Sequence, residues 1–306
     1  MKTWQANICL IVVAMIWGAG FVATDEALKY LDPLATQILR FGIAAIILSI
    51  IFFKKLKNTS KKALIYGATI GVVFFASMTL QTFGLTDTTV PKNAFITVTN
   101  VIWVPIIAFI LFKVKPRGYL LWGIIVMMVG FFFLLFEIDI FDLQGSFTAL
   151  SSQLNATFGD FLTLLCAIGF ALHIIMVGRF VKEEDPITIL IFQLWVSAIL
   201  SVVFYTFMEG NPLHISQESI MSAFPALIFM AIFSSVISFG LQLISQQYVP
   251  AANAAVILST EALFASIFAV MMGSEALTIS LVISAVVITI GIVWAETGFK
   301  FKEDTV

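Results

Sequence analysis

Ten apolar runs, most of them about twenty residues long, divide nearly the whole chain, and they constrain its fold more than any other feature. A helix of twenty residues crosses the hydrocarbon core of a bilayer at 1.5 Å per residue. Hydrophobic residues make up 60% of the 306 residues and charged residues 11%, a balance that soluble globular proteins do not have. We therefore predict an all-α integral membrane protein. Its predicted spans are 5–24, 33–53, 63–83, 91–112, 118–137, 158–179, 187–208, 219–245, 250–272 and 278–297.

The basic residues favour one orientation in the membrane. If the N-terminus is cytoplasmic, all but three of the sixteen Lys and Arg residues fall in cytoplasmic segments; the three are Lys29, Lys92 and Arg40. Because cytoplasmic loops are enriched in Lys and Arg, we predict that both termini are cytoplasmic and that the chain lies in the cytoplasmic (plasma) membrane. No basic patch occurs outside short loops, so nucleic-acid binding has no support.

The two halves of the chain are related in sequence. A shift of 153 residues aligns Asp32-Pro33 with Asp185-Pro186, and a shift of 160 or 161 aligns two amide pairs: Gln81 with Gln242, and Asn93 with Asn253. Each unit has five helices, an odd number, so the second unit enters the membrane from the opposite side. We predict two inverted five-helix repeats at 5–137 and 158–297, joined by an extracytoplasmic loop at 138–157. Inverted repeats are a recurrent architecture of transporters, in which the substrate site lies near the midplane, between the repeats.

Charged side chains within the predicted spans are the first candidates for that site. Glu261 carries the single formal charge of segment 254–273, where a carboxylate costs roughly 2.5–3.5 kcal/mol on insertion scales. Removal from water favours the protonated form of a carboxyl group, which would suit proton coupling; the alternative is a neutral acid that holds two helices together. Arg40 would pair with Glu261, bind an anionic substrate or extend to the interface, and the sequence leaves all three open.

Polar and aromatic side chains complete the candidate set. His173 would titrate in the middle of a span, or it is a hydrogen-bonded packing residue. Each amide alone would orient a polar group of the substrate or, more often, simply bridge helices, but the set related by the repeat favours a shared central cavity. Trp17 and Trp195 are expected to face lipid or to fill space. Besides Glu261, Arg40 and His173, the predicted transport cavity contains Gln81, Gln242, Asn93, Asn253, Asn100, Gln193, Thr260 and Trp103.

Several short motifs occur in a defined order. They are Trp17-Gly18, Arg40 after Asp32-Pro33, Leu80-Gln81, Gly130, Gly159-Asp160, Thr260-Glu261, Gly273-Ser274-Glu275 and Gly291. In this order and spacing the chain resembles the EamA-type members of the drug/metabolite transporter superfamily over almost its whole length. The resemblance implies transport of a small metabolite across the cytoplasmic membrane, often efflux of amino acids or related compounds. Many relatives have a proline directly after this Glu, whereas Ala262 follows here, and so we expect the local kink to be weaker or absent.

Together these features predict a secondary transporter that works by alternating access. We expect efflux of an amino acid, amine or related compound, coupled to protons; uptake, or uncoupled facilitated diffusion, is the alternative. An intramembrane enzyme would need clustered His, Cys or acidic residues, whereas Cys9 and Cys166 lie in separate spans. We therefore predict no enzyme activity, metal site or cofactor, with the bilayer, a small molecule and protons as partners; a receptor-like membrane protein is the alternative from another class.

Overall fold

The computed structural model describes residues 1–136, 156–271 and 277–297. Within these ranges ten helices are long and apolar enough to cross a membrane, and no strand occurs. The chain is therefore an all-α multi-pass membrane protein. In chain order the spans are α1 (Thr3–Leu28), α2 (Pro33–Ile51), α3 (Lys61–Leu85), α4 (Val90–Phe112), α5 (Gly118–Leu135), α6 (Phe158–Phe180), α7 (Pro186–Met208), α8 (Gln217–Ser245), α9 (Ala251–Met271) and α10 (Ile279–Thr297).

The predicted spans agree with these helices to within about four residues at each end. Cap residues explain several of the helix starts. Asp32 accepts a hydrogen bond from the backbone N–H of Ala35 at 2.7 Å, and Asp185 accepts one from Thr188 at 2.9 Å. The proline after each Asp occupies the first helical turn, where a missing N–H costs nothing. Three predicted features lie outside the described residues. They are the predicted loop at 138–157, except for residues 156 and 157, the segment 273–276 and the basic C-terminal residues.

Helices of one half of the chain pack mainly against helices of the other half. α3 lies against α6 and α7, α2 lies against α7, α1 lies against α8 and α9, and α5 pairs with α10. For each of these pairs, the two helices that lie five positions away along the chain are also in contact. The contact of α3 with α7 thus corresponds to that of α8 with α2, and the contact of α4 with α6 corresponds to that of α9 with α1. The centre of the bundle lies between the two halves.

Ion pairs join two short connections at one end of the bundle. Lys55 contacts Asp185 at 2.5 Å and Lys62 contacts Glu183 at 2.6 Å, so the α2–α3 segment is tied to the α6–α7 loop. The Lys62 ammonium, together with the Tyr66 hydroxyl, holds the pKa of Glu183 below its ordinary value. These pairs are solvent-exposed and contribute little to stability individually.

Three spans are interrupted near their middle. α4 consists of Val90–Val98 and Asn100–Phe112, and α9 consists of Ala251–Leu258 and Glu261–Met271. α8 contains a π-helical segment, Met230–Ile237. Such wide turns are rare and occur frequently at functional sites.

The break in α9 corrects the expectation that the kink would be weaker or absent without a proline. The Thr260 backbone N–H bonds to the carbonyl of Ile257, three residues earlier, at 3.2 Å, and its hydroxyl donates to the same carbonyl at 2.7 Å. In α4, Thr99 makes the same pair of bonds to Ile96, at 3.2 and 2.6 Å. A hydroxyl that bonds back to the helix in this way favours a tight turn over a regular one. In this chain a threonine whose hydroxyl bonds back to the helix therefore accompanies both breaks.

Candidate functional site

A cavity lined by both polar and apolar side chains lies at the centre of the bundle, where α1, α2, α3, α4, α6, α8 and α9 meet. Its volume is about 60 Å³, room for a few water molecules. Sites that enclose small molecules usually measure roughly 300–1,000 Å³, so the cavity is contracted in this conformation. Its polar lining consists of Thr24, Arg40, Gln81, Thr82, Asn100, His173, Ser234, Gln242 and Glu261.

Glu261 is placed in the cavity by the break in α9. It is the first residue of the second half-helix and is only 6% exposed. The N-terminal end of a helix carries a partial positive charge, which favours a carboxylate there. Its carboxyl group makes no hydrogen bond or ion pair with any residue in the described ranges. A buried carboxyl without a protein partner is free to bind a proton or a cationic ligand group.

Arg40 is a second buried charge in the cavity lining, also 6% exposed. Its Nε–H donates to the hydroxyl of Ser235 at 2.9 Å, and Ser235 belongs to the π-helical segment of α8. No carboxylate of the described residues lies within 4.0 Å of the guanidinium, so the pairing of Arg40 with Glu261 considered above is absent in this conformation. The cavity lining thus contains a carboxyl group and a guanidinium group that do not form an ion pair with each other.

Amide side chains and a histidine surround these two charges. Asn100 starts the second half of α4, as Glu261 starts the second half of α9, and its Oδ1 is buried without a hydrogen-bond donor. Gln81 donates to the Thr97 hydroxyl at 3.1 Å. Gln242 donates to the side-chain oxygen of Gln246, also at 3.1 Å.

His173 lies in the same lining, and its ring is held from several sides. Its Nε2 is 3.4 Å from the Oε1 of Gln193. The rings of Phe74, Phe170 and Phe239 lie around it at centroid distances of 5.4, 6.4 and 6.1 Å. His173 is therefore both a lining residue and part of an aromatic packing cluster.

Five predicted residues lie outside the cavity lining. Asn93 is fully buried and donates to the Thr163 hydroxyl at 2.8 Å, which joins α4 to α6. Gln193 contacts the cavity only through His173. Trp103 packs on the hydrophobic core, the hydroxyl of Thr260 bonds within α9, and the fifth residue, Asn253, binds Glu296.

The sequence prediction did not include Trp17, which was expected to face lipid or fill space. Its indole N–H donates to the backbone carbonyl of Ser234 at 3.1 Å, its ring centroid lies 4.9 Å from that of Phe239, and it lines the cavity. A signal for this was available, because Trp17, Gly20 and Thr24 recur at the spacing of one helix face. Thr82 and Ser234, which also line the cavity, carry no comparable signal.

Two polar clusters flank the cavity at opposite ends of the bundle. At one end the Lys92 ammonium contacts the Asp160 carboxylate at 2.5 Å and joins α4 to α6; both side chains are at most 16% exposed. At the other end, Asn253 and Asn7 donate to the two carboxylate oxygens of Glu296 at 2.8 and 3.2 Å, which joins α9, α1 and α10. A shift of 153 residues aligns Asn7 with Asp160, so the clusters occupy related places in the two halves.

Comparisons with known sequences and structures identify proteins to which this chain is similar. A model of the EamA-like transporter family matches residues 4–136 and 157–297. An uncharacterized transporter of Archaeoglobus fulgidus is 31% identical over 91% of this chain and 81% of its own length. The uncharacterized transporter YoaV of Bacillus subtilis is 25% identical over 92% of this chain and 94% of its own length. A solved crystal structure superimposes with a TM-score of 0.75 over 97% of both chains at 15% identity, a likeness of fold. The chain belongs to the EamA-like transporter family.

Proposed function

We propose that this chain is a secondary transporter that moves a small metabolite, an amino acid, an amine or a related compound, by alternating access. The observation that carries the proposal is the central cavity with Glu261, a buried carboxyl group without a partner among the described residues. An uncompensated acid is costly inside a membrane, so its place is best explained by a ligand or proton that it binds.

Two inverted five-helix repeats are the proposed basis of the mechanism. The exchange of contacts between helices five positions apart supports this arrangement, and so does the match of one family model to each half. Two similar halves related by an axis in the membrane plane can exchange shapes, which opens the same cavity to either side. The distribution of Lys and Arg supports cytoplasmic termini.

The two flanking clusters are the proposed closures of the cavity. The Lys92–Asp160 pair holds α4 against α6, and Glu296 holds α9 and α1 through Asn253 and Asn7. In an alternating-access cycle, one cluster separates while the other remains closed. The contracted cavity, with both clusters formed, then corresponds to a form between the two open ones.

Proton coupling through Glu261, in the direction of efflux, completes the proposal. Purified protein in liposomes with an imposed pH gradient tests the coupling, with the substrate taken from metabolite profiles of cells and medium. We expect Glu261→Gln to lose accumulation against a gradient but to keep exchange. Glu218→Gln is the matched control, because this carboxyl is exposed at the start of α8, outside the cavity lining and the two clusters, and it should keep the pH dependence.

Two results would redirect the proposal. Full pH-dependent accumulation by Glu261→Gln would remove its coupling role. Entry of labelled substrate into cells, without its export, would replace efflux by uptake, and transport that is insensitive to a pH gradient in the native chain would indicate an uncoupled permease.

A further inference from the structure

A long apolar groove runs along the outer surface between α4 and α5. Its volume is about 1,050 Å³, far larger than that of the central cavity, and apart from Lys115 its lining is apolar. Residues from both helices form its walls, including Ile106 and Phe109 of α4 and Ile125 and Val129 of α5, all more than 40% exposed. None of the residues that line this groove also lines the central cavity.

The groove exists because two consecutive helices pack on different partners. The second half of α4 lies against α6 and α9, whereas α5 lies along α10. Pro105 lies inside α4 on the wall of the groove, and Lys113 ends that helix in a left-handed conformation with φ of 56°. The chain then needs only residues 113–117 to reach α5. The two helices are therefore joined at one end and leave a cleft open towards the lipid.

The length of the groove corresponds to one leaflet of a bilayer. On α5 its lining extends from Leu121 to Phe132, eleven residue steps or about 16 Å along the helix axis. The hydrocarbon core is about 30 Å thick, so each leaflet contributes about 15 Å. One acyl chain, extended from its headgroup to the midplane, fits this distance.

The mouth of the groove carries three positive charges. Lys113, Lys115 and Arg117 are all exposed, and none forms an ion pair with a carboxylate in the described ranges. Lys115 lines the groove itself. The ammonium of Lys113 lies over the ring of Phe109, 5.9 Å from its centroid, which places this charge beside the apolar wall. Basic pockets between membrane helices bind the headgroups of anionic lipids.

We propose that the α4–α5 groove is a binding site for an anionic phospholipid. One acyl chain lies between Ile106 and Val129, and the headgroup phosphate contacts the basic segment 113–117. The site combines a groove as long as one leaflet with uncompensated positive charge where the headgroup lies. A zwitterionic lipid with the same acyl chains satisfies only the first of these requirements and binds more weakly.

Native mass spectrometry of the full-length protein tests the proposal, with phosphatidylglycerol and phosphatidylcholine of identical acyl chains as probes. We expect the native chain to retain phosphatidylglycerol preferentially. The preference should fall about fivefold for each charge removed in Lys113→Gln, Lys115→Gln and Arg117→Gln, because each basic residue near a membrane surface contributes about 1 kcal/mol. Lys54→Gln is the control, since it removes an exposed basic residue outside the groove.

A second variant separates the groove from a general attraction of lipid to positive charge. Val129→Trp fills the middle of the groove without changing the charge, and it should reduce retention of both lipids. Val72→Trp makes a similar change at an exposed position of α3 outside the groove and should have no effect. Equal retention of the two lipids by the native chain, or unchanged retention by Val129→Trp, would overturn the proposal. So would crosslinking of Ile125→Cys between two copies in the membrane, because a second protein chain would then occupy the groove.

Discussion

Gly18 sets the distance between α1 and the half-helix that carries Glu261. A Cβ atom added at Gly18 would lie 2.8 Å from the Ala265 nitrogen and from the Phe264 Cβ, and 2.9 Å from the Glu261 carbonyl oxygen. Carbon atoms in contact are normally about 3.5–4.0 Å apart. In Gly18→Ala, α1 and α9 must therefore separate by several tenths of an ångström or more, and two of the three contacted atoms belong to the backbone, which cannot rotate away.

The expected cost follows from comparison with a second glycine. Gly42 lies within α2, and a Cβ there would meet nothing within 4 Å. Gly42→Ala should therefore stabilise the protein by about 0.5–1 kcal/mol through helix propensity alone. Gly18→Ala gains the same helix propensity, but its new methyl group also overpacks the contact between α1 and α9, which costs about 1–3 kcal/mol. The difference in unfolding free energy between the two variants, about 1–3 kcal/mol, then measures the overpacking.

Denaturant unfolding in detergent measures that difference, and transport in liposomes measures its consequence for the site. Gly18→Ala displaces the backbone of Glu261, so we expect slower transport, whereas Gly42→Ala should transport as the native chain does. If Gly18→Ala were as stable and as active as Gly42→Ala, the close approach of α1 and α9 would not position the site, and this reasoning would be refuted.

Two further predictions concern buried charges. Lys92→Gln removes the ammonium that contacts the largely buried Asp160 carboxylate, and Asp160→Asn removes that carboxylate; each should cost about 1–3 kcal/mol, between the exposed and the fully buried limits. The double variant should lose less than the sum in denaturant unfolding, and additive losses would argue against a direct pair. Ser235→Ala removes the acceptor of Arg40 Nε–H, a bond to a charged group that contributes about 1.5–3 kcal/mol. It should destabilise more than Ser266→Ala, whose hydroxyl bonds only within its own helix, and equal losses would contradict this.

The spans could be predicted closely because hydrophobic length and cap residues are local signals. Every span agreed, and Asp32-Pro33 and Asp185-Pro186 marked helix starts that the structure has. The break before Glu261 was missed because the resemblance directed attention to proline, whereas threonine hydroxyls bonded back to the helix make the turn. A break in a helix can thus be made with proline or with threonine, and the sequence analysis considered only proline.

The cavity was harder to predict, because its membership depends on which helix faces meet. Glu261, Arg40, Asn100, Gln81, Gln242 and His173 do lie together in its lining. Asn93 looked equivalent to them by the repeat, but its partner Thr163 is seventy residues away, on α6, and no spacing rule indicates that contact. Ser235, which accepts the hydrogen bond of Arg40, likewise lies in a π-helical segment, which a regular helix pattern does not anticipate.

The contracted cavity has a consequence for affinity. At about 60 Å³ it is several times smaller than the space a metabolite needs, so in the proposed cycle the cavity must expand before it binds substrate. The apparent dissociation constant equals the intrinsic one divided by the fraction of the expanded form: a form populated at about 1% weakens apparent affinity about a hundredfold. A substitution remote from the cavity that favours expansion therefore tightens binding without any new contact. Because the same substitution also favours remaining expanded, the proposed cycle predicts that such variants bind more tightly and turn over more slowly.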